Sequence, residues 1–283
     1  MYCQLWHVGR VAHPDAPKQK LAGQPVYAPS AVAARGGKFR HIPGSPGYVT
    51  STEVDDPTIL INQFKEAAIN AKKAGLMELN VVHGANGYLV HQFLDSTSNI
   101  RTDKWGGSVE NRCRFGLETL KALKEVFGNN VSVKLSPCGG YNDMGMPLQE
   151  TLDTFSHFIS EADKLELSYI CLLRYYPMLD VEFDGKKRAT QHDVLTSYRP
   201  YVKANKLFLN AGVQPKEGEQ LVESGKIDGV VMGINWLTHP DLIKRLQHGK
   251  RLDNVPDMIH LYGRNDRSDD WRIGYVDYSV AVY

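Results

Sequence analysis

Three side chains near residue 85 have the types and spacing to bind and protonate a carbonyl compound. His83, Asn86 and Tyr88 lie together in the segment HGANGYL. A neutral histidine and an amide can both donate to one carbonyl oxygen, which makes the β-carbon of a conjugated C=C bond a better hydride acceptor. A nearby tyrosine can then give a proton to the α-carbon. Each residue alone also fits a structural role, with Asn86 as a helix cap and His83 packed beside a glycine-rich turn.

Secondary structure must position these residues, and from residue 58 the sequence alternates between helical and strand patterns. PTILINQFKEAAINAKKAGL is apolar at near-helical spacing, and ELNVVHG is typical of a strand that ends at His83. The alternation continues with strands in VSVKLSP, SYICLLRYY, KLFLNAG and DGVVMG, and a helix is predicted near 190–204. With the opening QLWHVGR this makes six strands. Such alternation predicts right-handed βαβ units and a parallel sheet.

Two α/β architectures contain such a sheet, a doubly wound open sheet and a (β/α)8 barrel. Polar or glycine residues lie at or just after the carboxyl ends of five strands, namely His83, Lys134, Arg174, Asn210 and Gly233. A barrel collects its active site from several strand ends in this way. No GxGxxG follows an early strand, which disfavours the doubly wound fold. We therefore expect a TIM (β/α)8-type barrel in a single domain over 1–283, although only six of its eight strands are visible.

Composition narrows the classes of partner. The chain has 283 residues, 33 Lys and Arg against 32 Asp and Glu, and no basic run, so nucleic acid and membrane surfaces are not expected partners. The 4 cysteines have no CxxC spacing and no neighbouring His cluster, so no metal site and no disulfide framework is predicted. No apolar run is long enough to span a bilayer, and a cytoplasmic location is expected.

The segment around His83 also resembles a known family. HGANGYL followed by DSTSNIRTDKWGGSVENRCRF closely resembles the signature of the Old Yellow Enzyme family, H-x-x-N-x-Y and then S-N-x-R-x-D-x-x-G-G-S-x-E-N-R. QLWHVGR, LNAGV and DGVVMGINWLTHPDL resemble further parts of that family, so the resemblance runs from Gln4 to GYVDY near the C-terminus. It implies a flavoprotein barrel with FMN as cofactor, in which NADPH or NADH supplies the electrons that reduce the C=C bond of an enone or enal.

The resemblance also implies a role for particular residues. His83 and Asn86 would hold the substrate carbonyl, Tyr88 would be the proton donor, and Tyr262 would lie over the substrate. The residues implied to bind the cofactor are Gln4 at the flavin pyrimidine, Lys134 near flavin N1 and O2, and Ala211, Gly212 and Gly233 at the phosphate. A lysine near N1 supplies positive charge without the two-donor fork of arginine.

The chain departs from the family pattern in three places. The cap and the first two βα units that precede QLWHVGR in the family have no match, so about six βα units of an N-terminally truncated barrel are expected. An uncovered sheet edge would be capped by long excursions or paired with a second chain, so a homo-oligomer is one expectation. Ile234 stands where the family has a phosphate-binding arginine, which should weaken FMN binding. The strand entry around Glu78 is one residue longer than usual, which requires a bulge to keep the register.

These departures leave a second hypothesis of a different class. The chain would then be a flavin-poor family member with little or no turnover, acting as a binding or structural protein. The visible spectrum of the purified protein discriminates between the two, because only the enzyme is expected to carry a flavin.

Overall fold

The computed structural model describes residues 3–76, 80–261, 270 and 272–283. The strands in this part of the chain are β1 (Cys3–Leu5), β2 (Tyr27–Ala28), β3 (Thr52–Glu53), β4 (Asn80–Gly84), β5 (Val131–Leu135), β6 (Tyr169–Leu173), β7 (Glu182–Phe183), β8 (Lys186–Lys187), β9 (Lys206–Asn210) and β10 (Gly229–Val231). The α-helices are α1 (Pro17–Ala22), α2 (Thr58–Lys73), α3 (Leu89–Leu94), α4 (Val109–Phe127), α5 (Leu148–Asp163), α6 (Val194–Tyr198), α7 (Pro215–Glu223), α8 (Ile234–Thr238) and α9 (Leu242–Gln247). Short 3-10 helices cover Gly9–Val11, Tyr141–Asp143, Pro177–Leu179 and Arg199–Tyr201.

The six predicted strand segments form one parallel sheet in the order β1, β4, β5, β6, β9 and β10. The register places His83 of β4 opposite Lys134 of β5, and Lys134 opposite Cys171 of β6. Strands in sequence order with helices between them are the arrangement of a TIM-barrel-type fold, as predicted. Because the strands are parallel, their carboxyl ends lie along one edge of the sheet. Most of the predicted site residues lie at or just after these ends.

The long helices form because their apolar residues recur at helical spacing. In α2 the buried residues are Leu60, Ile61, Phe64, Ala68 and Ala71, all on one side of the helix. Helix α2 packs against α4, and α4 packs against α5. The strands bury alternate apolar residues such as Val82 and Val133 in the same core. The opposite face of the sheet is left for the polar residues at its carboxyl edge.

The helix predicted near 190–204 is shorter than expected. Asp193 caps α6 by accepting a hydrogen bond from the Thr196 N–H at 3.1 Å, but the α-helix ends at Tyr198 and one 3-10 turn follows. Pro200 explains the difference, because it has no N–H to donate to the residue four positions earlier. The apolar pattern alone did not account for this missing donor.

Two predictions fall outside the described residues. The longer strand entry around Glu78 lies within 77–79, and Tyr262 lies within 262–269. Helices long and apolar enough to cross a membrane do not occur in the described part of the chain. All four cysteines are free thiols, and Cys113, Cys138 and Cys171 are buried.

Long excursions follow the carboxyl ends of β1, β5 and β6. Asp143, in the excursion after β5, links it to the two excursions that contain Arg35 and Arg188. Asp143 accepts hydrogen bonds from the Arg35 N–H at 2.9 Å, from Arg35 Nη2 at 2.8 Å and from Arg188 Nε at 2.9 Å. Burial alone would raise the pKa of Asp143, but these hydrogen bonds outweigh it and hold the pKa below its usual value. Tyr48 adds a second link by donating to Asn142 Oδ1 at 2.6 Å. We call Arg35, Asp143 and Arg188 the Asp143 cluster.

Candidate active site

Three of the predicted residues project from one face of the sheet. Gln4 pairs with position 81, two residues before His83, and His83 pairs with Lys134. Side chains two residues apart on a strand share a face, so Gln4, His83 and Lys134 lie on the same side. The sheet register therefore brings together residues from three strands that are far apart in sequence.

Aromatic rings enclose His83. The Tyr88 ring lies 4.8 Å from the His83 ring in an edge-on arrangement, and the Trp6 ring lies 4.9 Å from that of Tyr88. The centroid of the Trp6 ring also lies 6.4 Å from that of the His83 ring. Edge-on contacts at these distances are favourable, so the three rings form one packed group at the carboxyl ends of β1 and β4.

His83 is held in its neutral form. Burial, with a smaller contribution from the nearby charge of Lys134, lowers its pKa to about 3. Its Nδ1 is buried and has no hydrogen-bond partner among the described residues. A buried ring nitrogen without a partner costs free energy, which makes His83 a candidate binding residue. A neutral imidazole at this position can donate to a carbonyl oxygen without a change of protonation.

Asn86 occupies a left-handed turn that surrounding groups hold in place. Asn86 has φ 57° and Gly87 has φ 69°. The Asn86 N–H donates to Ser136 Oγ at 2.8 Å, and the Gly87 N–H donates to His91 Nδ1 at 3.1 Å. The Asn86 carbonyl accepts a hydrogen bond from Asn142 Nδ2 at 2.8 Å. With its backbone fixed on three sides, Asn86 presents a side-chain amide that has no partner in the described part of the chain.

Sequence reasoning missed His91 and Ser136, which support this turn. His91 is 1% exposed, and burial lowers its pKa to about 4. Because its Nδ1 accepts the Gly87 N–H, the ring proton is assigned to Nε2. Ser136 Oγ lies 3.3 Å from the same Nδ1. The only signal for either residue was a polar side chain within an otherwise buried segment.

Lys134 places a positive charge near the carboxyl end of β5. Burial lowers its pKa, and its ammonium has no hydrogen-bond or ion-pair partner among the described residues. Nearby Cys171 is buried, and burial raises the pKa of its thiol to about 12, so it does not neutralise the lysine. An ammonium without a counter-ion in this position favours a ligand group that is negative or becomes negative.

The turn after β9 carries backbone donors that are free to bind an anion. Ala211 and Gly212 both have positive φ, 80° and 70°. The N–H groups of Gly212 and Val213 have no partner in the described residues. Gly233, after the neighbouring strand β10, faces open space, because a Cβ added there meets no atom within 4 Å. Successive N–H groups in a turn of this kind form an anion-binding concavity.

Two open surface cavities lie away from these residues. One of about 420 Å³ lies beside Ser279, and one of about 650 Å³ lies between α4 and α5. Neither is lined by a residue of the predicted site. Cavity size usually guides the choice of a site, but here the convergence of polar groups without partners is the stronger indication.

Comparisons with known proteins match the chain to one family. A family model described as the NADH:flavin oxidoreductase / NADH oxidase family matches residues 1–253. The chain is 35% identical over 285 residues to a protein of Oryza sativa subsp. japonica named putative 12-oxophytodienoate reductase 5, covering 98% of this chain and 69% of that relative.

Solved structures show the same fold. Morphinone reductase superposes with a TM-score of 0.79 at 30% identity, over 98% of this chain and 71% of that chain. An old yellow enzyme homologue from Zymomonas mobilis superposes with a TM-score of 0.83 at 24% identity, over 99% of this chain and 74% of that chain.

Proposed function

The chain belongs to the NADH:flavin oxidoreductase / NADH oxidase family, and on that basis we propose that it is an FMN-dependent reductase of α,β-unsaturated ketones and aldehydes. The Old Yellow Enzyme resemblance of the sequence is confirmed by the family match and the structural neighbours. NADPH or NADH would be the reductant, and saturation of one C=C bond the reaction.

The residues present fit FMN. The N–H groups of Gly212 and Val213, which have no partner among the described residues, and the open space at Gly233 suit a phosphate. The Lys134 ammonium suits the edge of a flavin that becomes anionic when reduced, and Gln4 lies on the same face of the sheet. When bound there, FMN would take up the hydride of the nicotinamide and deliver it to the alkene.

The substrate carbonyl would bind between His83 and Asn86. Both side chains have donors without partners among the described residues, and neutral His83 remains a donor across the physiological pH range. Two donors on one oxygen stabilise the negative charge that develops there as the β-carbon accepts a hydride. The rings of Trp6 and Tyr88 pack edge-on beside this position.

Tyr88 would complete the reaction by protonating the α-carbon. Its ring packs edge-on against His83, so its hydroxyl and the carbonyl donors belong to one constellation. The observation that carries the proposal is the buried Nδ1 of neutral His83, which lacks a partner in the described residues and lies beside a tyrosine at the end of β4. Most buried side-chain nitrogens with a purely structural role have a partner.

Reconstitution with FMN tests the proposal. Protein purified and mixed with FMN should be yellow after removal of free flavin, should lose its flavin absorbance under anaerobic NADPH or NADH, and should regain it when an enone such as cyclohexenone is added. A chain that stays colourless would contradict the enzyme and support a flavin-poor binding protein. A yellow protein that NADPH and NADH both fail to bleach would contradict the reductase while leaving the flavin site standing.

A further inference from the structure

We propose that Arg174 is a positioning residue for the FMN phosphate, because it holds the turn after β9 in the form that presents free N–H groups. The inference rests on the function proposed above and adds a residue to its cofactor site. Arg174 directly follows β6, and the sequence identified it only as a polar residue at a strand end.

Arg174 donates hydrogen bonds to two consecutive carbonyl groups of the turn. Its Nε donates to the Ala211 carbonyl at 2.9 Å, and its Nη2 donates to the Gly212 carbonyl at 2.9 Å. Ala211 has a Cβ, so its φ of 80° is a strained conformation that persists only where the surroundings hold it. The planar fork of the guanidinium matches two carbonyls at once, which a lysine ammonium does not.

The orientation of these carbonyls fixes the direction of the free donors. Within one peptide group the C=O and the N–H point in opposite directions. The carbonyls of Ala211 and Gly212 turn toward Arg174, so the N–H groups of Gly212 and Val213 turn away from it. These two N–H groups have no partner in the described part of the chain. Arg174 therefore acts on the phosphate site through the turn rather than by direct contact.

Arg174 also compensates a carboxylate near the same turn. Its Nη2 lies 3.0 Å from Glu217 Oε2, and the hydrogen bond from Arg174 lowers the pKa of Glu217. Glu217 lies in the first turn of α7, where its Oε2 also accepts the Gln214 N–H at 3.2 Å. A bare carboxylate there would repel a bound phosphate. Because both side chains are about one third exposed, 33% and 38%, solvent screens this repulsion, and a moderate effect is expected.

Comparing FMN with riboflavin, which lacks the phosphate, isolates this role. Arg174→Met keeps a long side chain but removes the fork and the charge. It should raise the dissociation constant of FMN about tenfold, measured by quenching of flavin fluorescence on titration with apoprotein, and change that of riboflavin less than about twofold. Arg174→Lys keeps the charge without the fork and should fall between. Arg199→Met removes an arginine that donates to the Val202 carbonyl away from this turn, and should leave FMN binding unchanged.

The Glu217→Gln variant distinguishes a positioning role of Arg174 from direct contact between Arg174 and the phosphate. In the Arg174→Met background it should restore part of the FMN affinity, because it removes the uncompensated carboxylate. If Glu217→Gln alone tightened FMN binding about tenfold, the released Arg174 would be a direct phosphate ligand, and the positioning role would be wrong.

The outcomes separate this inference from the proposed function. A wild-type protein that binds neither flavin overturns the function and the inference with it. Wild-type binding of FMN, with equal changes for FMN and riboflavin in Arg174→Met, overturns the inference alone. If circular dichroism shows that Arg174→Met does not fold, Arg174→Lys is tested instead, by the same comparison of the dissociation constants of FMN and riboflavin.

Discussion

Replacing Ser136 by alanine should weaken both the fold and the carbonyl site. The Asn86 N–H donates to Ser136 Oγ at 2.8 Å, and Ser136 is 5% exposed. Alanine preserves the strand end but leaves this N–H without an acceptor, in a turn where Asn86 already has φ 57°. A buried donor without a partner costs about 1–3 kcal/mol, and because the Asn86 N–H is only partly buried, we expect about 1 kcal/mol. The free energy of unfolding of Ser136→Ala, measured by urea denaturation, should fall by that amount.

Ser132 offers a matched control on β5, the strand that Ser136 directly follows. It lies on β5, is fully buried, and its Oγ has no hydrogen-bond partner among the described residues. Ser132→Ala therefore removes a hydroxyl with no hydrogen bond to lose. Its free energy of unfolding should stay within about 0.5 kcal/mol of wild type or rise.

The same pair of variants tests the site. If the turn relaxes, the Asn86 amide shifts, and a phenol that mimics the substrate carbonyl should bind the FMN-loaded Ser136→Ala protein about tenfold more weakly, since about 1.4 kcal/mol corresponds to a factor of ten. The change in visible absorption of bound FMN reports this dissociation constant. Equal losses of stability in Ser136→Ala and Ser132→Ala, or unchanged phenol binding in Ser136→Ala, would refute the reasoning.

Three further predictions follow from the site. Tyr88→Phe should slow enone reduction at least about a hundredfold and spare flavin reduction by NADPH; stopped-flow spectroscopy separates the two steps, and equal slowing would exclude the proton-donor role. Lys134→Met should lower the reduction potential of bound FMN, because it removes a cation from the reduced flavin; an unchanged potential would place Lys134 away from the flavin. Because the pKa of His83 falls from 6.5 to about 3 on folding, only the unfolded chain binds this proton between these two pH values. The free energy of unfolding should therefore decrease as the pH is lowered from 6.5 toward 3, by up to about 1.4 kcal/mol per pH unit. Urea denaturation at pH 7 and pH 5 should show a weaker dependence in His83→Gln, and an equal dependence would contradict the buried neutral form.

The sequence predicted the parallel sheet and the position of His83 because both depend on short-range patterns. Apolar runs that alternate with amphipathic segments define the strands, and His83 comes at the end of one of them. Neither feature needs knowledge of contacts between distant segments. The register that places His83 opposite Lys134 does need it, and it comes from the structure.

The supports of the site could not be predicted in the same way. Ser136 and His91 reach the Asn86 turn through single hydrogen bonds between segments, and no periodicity in the chain reports such a bond. Arg174 likewise contacts the turn after β9 only because β6 and β9 pair side by side. The short α6 shows the opposite case, since Pro200 was visible in the sequence but its effect on the helix end was underestimated.

The Asp143 cluster should make the loops beside the site open as a single cooperative unit. Arg35 comes from one excursion and Arg188 from another, and both donate to the same carboxylate. If either arginine moved away, Asp143 would lose part of its hydrogen bonding. The local openings of the two excursions should therefore be coupled. Backbone amides in both excursions should then exchange with deuterium at one common rate, and access to the Asn86 turn would be governed by one gating equilibrium rather than two.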